Sequence, residues 1–240
     1  MRRHIPNLLT LSNLFCGCCA IVNLLYGEAV VATWFVLGSF LFDYADGMIA
    51  RALGVAGPMG RELDSLADVV SFGVVPSAML YGLLAAAFGQ GLFAVCLPAL
   101  PAFALAAFAA FRLARFNLDT THRDYFVGLS TPGCTVFVLG LTLAAHDNQF
   151  GIGTLIRQQP WLIYATTAVL SYLMVSAVPM FGLKIKSLRW QDNKKTLAFF
   201  ALATASLLLF KGLGLSLTVL LYIVFSIFSK NNILRNAPSP

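Results

Sequence analysis

The chain of 240 residues is 59% hydrophobic and only 11% charged, with a mean hydropathy of +0.81. Because a soluble domain carries about 25% charged residues, this composition excludes an ordinary water-soluble globule and indicates a protein dissolved in the bilayer. The net charge of +6 does not indicate nucleic-acid binding, since the basic residues lie in short loops between apolar segments. We therefore predict an all-α, polytopic membrane bundle.

About 20 apolar residues are needed to cross the hydrocarbon core as a helix. On this criterion the sequence predicts spans at residues 11–27, 29–53, 61–88, 91–116, 131–146, 159–180, 195–211 and 214–229. A count of seven stays open, because the fifth span is short and the first contains Asn13. Residues 5–13 are expected to form an amphipathic lead-in along the membrane interface.

The lysines and arginines predict the orientation. With the N-terminus in the cytoplasm, fourteen basic residues fall on the cytoplasmic side and only two, Arg157 and Lys211, on the other. This asymmetry predicts that both termini face the cytoplasm, most simply across a bacterial inner membrane. The five cysteines lie within apolar segments without metal or redox spacing, so we interpret them as small buried apolar residues.

Aspartates and small residues recur on one face of the second and third predicted helices. The second helix carries them at intervals of three to four residues: Asp43, Asp46, Gly47, Ala50 and Arg51. The third carries Gly60, Asp64 and Asp68, each four residues from the next. The short loop between the helices makes them antiparallel neighbours, so both stripes should meet at the cytoplasmic membrane face.

Four carboxylates on facing stripes repel one another and cost several kcal/mol to desolvate unless cations or protons compensate. Clustered oxygen ligands suit Mg²⁺ or Mn²⁺, with Ca²⁺ also open, while the absence of nearby His or Cys argues against zinc. Solvated helix-end charges are the alternative, but such charges would scatter around a helix. Gly47 and Gly60 would let a ligand approach the backbone, although Ala50 and Gly60 also suit helix packing. Arg51 is suited to binding a phosphate.

The pattern Asp43-x2-Asp46-Gly47-x2-Ala50-Arg51-x8-Gly60-x3-Asp64-x3-Asp68 resembles the signature of the CDP-alcohol phosphotransferase family at every defining position. The resemblance implies a membrane enzyme that moves a phosphatidyl or related group from a CDP-linked donor to an alcohol and releases CMP. It also implies a six-helix catalytic core, here residues 1–182, that is commonly dimeric. Residues 183–240, a basic loop with two further helices and a short tail, lie outside that core.

The resemblance also implies roles for individual residues. Asp43, Asp46, Asp64 and Asp68 would be metal ligands, with Asp68 also the general base. The CDP pocket would be lined by Gly47, Ala50, Arg51 and Gly60. Asn7 and Thr10, in the motif Pro6-Asn7-x2-Thr10, resemble a family feature near the nucleotide, and a helix N-cap or turn is an equal alternative.

Residues 71–76, 112–117 and 173–176 resemble the branch of the family that uses L-serine as acceptor and CDP-diacylglycerol as donor. Arg112 and Arg115, three residues apart on one helix face, would bind the serine carboxylate. The alternative is that both arginines anchor the helix at the membrane surface or contact lipid headgroups.

Alternative acceptors within the same family are glycerol 3-phosphate and inositol. A cation transporter is the alternative from another class, which the clustering of the acids at one membrane face disfavours.

Overall fold

The computed structural model describes residues 4–90, 95–119, 126–180 and 190–235. The described helices, in chain order, are α1 His4–Leu25, α2 Ala29–Ala52, α3 Pro58–Asp68, α4 Val75–Ala87, α5 Ala104–Leu118, α6 Thr131–His146, α7 Ile152–Gln158, α8 Trp161–Val175 and α9 Trp190–Arg235. A π-helical segment, Val69–Val74, joins α3 to α4, and 3₁₀ turns occupy Leu97–Phe103 and Gln149–Gly151. Two short strands, β1 Phe126–Val127 and β2 Pro179–Met180, pair antiparallel. The predicted all-α class is confirmed.

Long apolar helices dominate the described residues. Five helical stretches are long and apolar enough to cross a membrane: His4–Leu25, Ala29–Ala52, Pro58–Ala87, Leu97–Leu118 and Thr196–Phe228. α6 and α8 are shorter apolar helices. The protein is therefore a polytopic membrane protein. The predicted second and fifth spans agree with α2 and α6 to within one residue.

Three predicted boundaries were wrong. Residues 5–13 are not a separate lead-in, because α1 runs unbroken from His4. The fourth span begins as a 3₁₀ turn at Leu97, since two prolines within that turn lack the N–H groups that an α-helix needs. The sixth ends at Val175 because the next residue is extended and the chain continues into β2. The predicted core boundary at residue 182 and the tail lie outside the described residues.

The last helix, α9, is an antiparallel hairpin. Lys211 has a non-helical backbone, with φ 47° and ψ −120°, where the chain reverses. The ring of Phe199 in the first limb lies 6.1 Å from the rings of both Tyr222 and Phe225 in the second. Ser206 Oγ also donates to the carbonyl of Gly214 at 3.2 Å. The limbs are therefore the seventh and eighth predicted helices, which makes eight apolar helical segments among the described residues.

α1 packs against both aspartate-bearing helices. Thr10 of α1 contacts Asp46, and Cys16 lies beside Gly38, so α1 and α2 are antiparallel. Residue numbers increase in the same direction along α1 and α3, because Asn7 lies over Gly60 and Asn13 contacts Asp68. α1 is therefore parallel to α3, and α2 is antiparallel to α3, as the sequence predicted.

The π-helical segment directly follows Asp68, and Pro76 explains why the α-helix is interrupted there. Pro76 has no N–H to bond the carbonyl of Phe72 four residues earlier. The N–H of Val75 bonds instead to Val70, five residues back. Thr135 Oγ1 of α6 donates to the freed Phe72 carbonyl at 3.1 Å. π turns are frequent at functional sites, and this one sits beside the aspartates.

A second contact joins α6 to the α9 hairpin, and we call it the α6–α9 seam (Gly140, Leu143, Gly212 and Ser216). A Cβ on Gly140 would lie 2.6 Å from the backbone nitrogen of Ser216. One on Gly212 would lie 2.9 Å from Leu143 Cβ. Only glycine permits this approach.

Among the cysteines, Cys96 and Cys134 are buried as predicted, whereas Cys18 is exposed on the surface of α1.

Candidate active site

Three of the predicted aspartates converge in the structure. One carboxylate oxygen each from Asp43, Asp64 and Asp68 lies within 4.8 Å of the others. Asp68 is only 8% exposed, while Asp43 and Asp64 are half-buried. α2 and α3 make few backbone contacts with each other, so these side chains span the space between the two helices. The facing acidic stripes predicted from the sequence are therefore present.

Asp46, the fourth predicted ligand, lies beside this cluster and bonds to α1. It is 5% exposed, and its Oδ2 accepts a hydrogen bond from Thr10 Oγ1 at 2.5 Å. Thr10 lies well inside α1, which removes the N-cap interpretation of this residue. Asp46 is not part of the three-carboxylate group, so its role as a metal ligand stays a prediction.

Asn13 is a site residue that the sequence reasoning missed. It is fully buried in α1, and its Nδ2 donates to Asp68 Oδ1 at 3.2 Å. Its backbone carbonyl accepts from the hydroxyls of Ser39 and Ser71, both at 3.1 Å. An asparagine inside an apolar span was the available signal, because such residues are costly in a membrane unless they bond to something. We call the four aspartates with Thr10 and Asn13 the aspartate cradle.

The other residues of the signature lie at one end of the helices that form the cradle. Arg51 is exposed and folds back over Gly47, where a Cβ would lie 3.2 Å from Nη1. Gly60 faces Asn7, whose Oδ1 would lie 3.7 Å from a Cβ at that position. Ala50 is half-buried. These contacts bring Asn7, Arg51 and both glycines to the same end of α1, α2 and α3.

The cradle fits a divalent cation. Asp64 Oδ1 and Asn13 Oδ1 are both buried and have no hydrogen-bond partner. Within the described residues, no lysine or arginine nitrogen lies within 4.0 Å of the four aspartates. Converging carboxylates without a cationic partner are unstable in a membrane, and their hard oxygen donors suit Mg²⁺, Mn²⁺ or Ca²⁺.

The two predicted acceptor-binding arginines have different surroundings. Arg112 is partly buried, and its Nε is a buried donor without a hydrogen-bond partner in the described chain. Arg115 is exposed, and its Nη1 lies 3.5 Å from the carbonyl oxygen of Val175, at the end of α8. A cation is favourable at a helix C-terminus, so Arg115 has a backbone partner at the end of α8, whereas the Nε of Arg112 has no hydrogen bond among the described residues. Neither arginine contacts the cradle.

One further bond that the sequence did not reveal fixes α5 against the cradle. Asn117 Nδ2 donates to Ser65 Oγ at 2.9 Å, next to Asp64. Farther along, Gly73 of the π-helical segment lies against Ala109, where a Cβ would come within 3.2 Å of the alanine Cβ. α5 is thereby held along the same helix that carries Asp64 and Asp68.

Comparison with known proteins adds the chemistry that this geometry serves. The family model for CDP-alcohol phosphatidyltransferase matches residues 3–173. This segment contains the whole cradle together with Arg112 and Arg115, and it ends before the α9 hairpin.

Several relatives carry one name, CDP-diacylglycerol–serine O-phosphatidyltransferase. A relative from Helicobacter pylori is 34% identical over 227 residues, covering 92% of this chain and 89% of its own. One from Bacillus subtilis is 33% identical over 183 residues, covering 73% of this chain and 88% of its own. One from Saccharomyces cerevisiae is 32% identical over 208 residues, covering 78% and 70% respectively.

Proposed function

The chain belongs to the CDP-alcohol phosphatidyltransferase family, and on that premise we propose that it transfers the phosphatidyl group of CDP-diacylglycerol to the hydroxyl of L-serine. The products are phosphatidylserine and CMP. The observation that carries the proposal is the convergence of Asp43, Asp64 and Asp68 within 4.8 Å, in a chain whose relatives share this activity by name.

The donor enters with its acyl chains in the bilayer and its CDP group at the mouth of the cradle. Arg51 is exposed, so its guanidinium is free to turn from Gly47 toward a phosphate. Gly47 and Gly60 leave the helix backbones open to the nucleotide, with Ala50 and Asn7 beside them. Thr10 contributes indirectly, because it holds Asp46 in place.

Asp68 acts as the general base. Asn13 donates to its Oδ1, which leaves the other carboxylate oxygen to accept the proton of the serine hydroxyl. The serine oxygen attacks the phosphorus that carries the diacylglycerol oxygen, and a new P–O bond forms. The P–O bond to the CMP phosphate breaks, and CMP leaves with the bridging oxygen and its electron pair. Asp68 ends the step protonated and returns its proton to water.

We expect the cradle to hold Mg²⁺ or Mn²⁺, with Ca²⁺ still open. Asp43, Asp64 and Asp68 would be its ligands, and Asp46 is the fourth candidate. When bound, a divalent cation neutralises the donor pyrophosphate and stabilises the negative charge of the leaving CMP. The unbonded Asp64 Oδ1 supports this assignment.

The setting of the enzyme is also part of the proposal. The distribution of lysine and arginine supports a cytoplasmic active site in a bacterial inner membrane, with both termini on that side. Arg112 and Arg115 are the candidate ligands of the serine carboxylate. We expect a homodimer, as is common in the family, and no interaction with nucleic acid.

An acceptor panel tests the reaction. Purified protein in lipid nanodiscs receives CDP-diacylglycerol, Mn²⁺ and one acceptor at a time: serine, glycerol 3-phosphate or inositol. CMP release is measured with the labelled lipid product. Of the three acceptors, only serine should support both CMP release and formation of the labelled lipid. Turnover with another acceptor but not with serine would contradict the serine assignment.

A matched variant tests the role of Asp68 in the same assay. Asp68→Asn keeps the shape of the side chain but cannot accept a proton. It should still bind CDP-diacylglycerol while turnover falls by about 10²–10⁴-fold, the usual contribution of a general base. Turnover close to that of the unaltered protein would refute the base assignment.

A further inference from the structure

Arg112 is a partly buried cation without an anionic partner among the described residues. Its Nε is buried and unbonded, and no carboxylate of the described residues lies within 4.0 Å of its guanidinium. A desolvated charge in a membrane protein is costly unless an opposite charge or a hydrogen-bonding group compensates. The arrangement therefore favours an anionic ligand. In the proposed reaction the carboxylate of the acceptor supplies that charge.

The register of the α6–α9 seam places Tyr222 opposite the turn of α6 that carries Cys134. Gly212 lies against Leu143, and Ser216 Oγ donates to the carbonyl of Phe137 at 2.7 Å. Because the helices are antiparallel, each later turn of α9 faces an earlier turn of α6. Tyr222, six residues beyond Ser216, therefore faces the turn of α6 around Cys134.

Electrostatic contacts agree with this register. The guanidinium of Arg112 interacts with both the Tyr222 hydroxyl and the Cys134 thiol. The ring of Tyr222 is held in place by Phe199 of the opposite limb, with centroids 6.1 Å apart. Residues of three elements, α5, α6 and the α9 hairpin, thus come together at Arg112.

We propose that Tyr222 is a positioning residue that holds the Arg112 guanidinium toward the carboxylate of the acceptor, so that the α9 hairpin completes the acceptor subsite. The two groups interact electrostatically in the structure, without a hydrogen bond between them. When the acceptor binds, the hydroxyl would accept one N–H of Arg112 and leave the remaining donors for the ligand. This inference rests on the proposed function, and it gives the hairpin, which lies beyond the family match, a part in selecting an amino-acid acceptor.

Tyr222→Phe tests this role, because it removes the hydroxyl and keeps the ring that packs on Phe199. The KM for serine should rise about tenfold or more, as expected when a charged group loses a hydrogen bond, while kcat and the KM for CDP-diacylglycerol stay within twofold. Tyr164→Phe is the matched control. Its hydroxyl donates to the Pro98 carbonyl at 2.5 Å, away from Arg112, so its serine KM should not change.

A double variant separates positioning from general loosening. Arg112→Lys alone should raise the serine KM, because the planar fork that binds a carboxylate is lost. Adding Tyr222→Phe to Arg112→Lys should then cost little more, since the hydroxyl has no guanidinium to orient. If the two substitutions raised the serine KM additively, the inference would be overturned. It would also be overturned if Tyr222→Phe raised the serine KM and the donor KM equally and lowered the melting temperature, because that result would show a structural role.

The unaltered protein is assayed with serine first, so that two failures stay distinct. No CMP release with serine would contradict the proposed function. Normal turnover by the unaltered protein, together with an unchanged serine KM in Tyr222→Phe, would contradict the role of Tyr222 alone.

Discussion

The aspartate cradle and the α6–α9 seam join membrane helices in opposite ways. In the cradle, charged side chains span the space between α2 and α3, and polar groups of α1 bond to them. In the seam, the backbones touch, because Gly140 has no Cβ to keep Ser216 away. One contact is built from costly charges and the other from small residues.

This contrast indicates that the seam contributes stability and that the cradle serves to bind a ligand. Buried carboxylates destabilise a membrane helix bundle unless a ligand compensates, so the cradle is explained by what it binds. Close packing of small residues is itself a source of helix association, so the seam needs no ligand. Replacing a cradle aspartate by a neutral side chain should therefore reduce activity without reducing stability. Replacing a seam glycine by a larger residue should reduce stability and leave activity unchanged.

Of the substitutions that test this comparison, Asp64→Asn should give the largest effect. An amide is a poorer metal ligand than a carboxylate, and loss of several kcal/mol of charge stabilisation predicts a fall in turnover of about 10²-fold or more. The melting temperature in detergent should stay equal or rise, because one half-buried negative charge is removed next to Asp43. A marked fall in melting temperature at full activity would reverse the comparison.

Thr10→Val should have the next largest effect on activity. It removes the hydroxyl that donates to Asp46 and leaves a side chain of similar shape. A hydrogen bond to a charged group contributes about 1.5–3 kcal/mol, so kcat/KM for CDP-diacylglycerol should fall by roughly 10–100-fold. Ser12→Ala, which removes an exposed hydroxyl on the same helix, is the control and should keep kcat/KM unchanged.

Gly140→Ala tests the seam. The new methyl group would lie 2.6 Å from the Ser216 nitrogen, so the helices must separate at a cost of about 1–3 kcal/mol. The melting temperature should fall, while the KM for CDP-diacylglycerol of the folded fraction stays the same. Gly38→Ala is the control, because its methyl group would meet only Cys16 Sγ at an ordinary 3.4 Å. Equal melting temperatures for the two variants would contradict the account of the seam.

Gln149→Ala should produce the smallest change. Gln149 Oε1 accepts a hydrogen bond from the backbone N–H of Leu213 at 3.2 Å, which ties the hairpin turn to the end of α6. Its loss should lower the free energy of unfolding by about 0.5–1.5 kcal/mol and leave turnover unchanged. Denaturant unfolding and CMP release measure the two quantities, and a change in turnover would link the turn to the site.

Local patterns were enough to predict most of the fold and the centre of the site. The apolar runs predicted α2 and α6 to within one residue, and the spacing of Asp43, Asp46, Asp64 and Asp68 predicted facing stripes. These features depend on helical periodicity within one segment, or on two helices joined by a short loop.

Contacts between distant segments could not be read in the same way. Asn13 bonds to Asp68, 55 residues away, and Thr135 satisfies a carbonyl that Pro76 leaves unbonded. Arg112 and Arg115 share a helix face in sequence, yet their partners come from α9 and α8. Such partners are set by the packing of the whole bundle, which periodicity does not specify.

Direct measurement of Mn²⁺ binding tests the central claim that the cradle holds a divalent cation. Protein stripped with EDTA is titrated with Mn²⁺ and followed by electron paramagnetic resonance, with Asp43→Asn as the variant and Glu28→Gln, at the far end of α2, as the control. The unaltered protein and the control should bind Mn²⁺ with the same affinity, and Asp43→Asn should bind at least tenfold more weakly. Equal binding by all three proteins, or no binding by the unaltered one, would contradict the account.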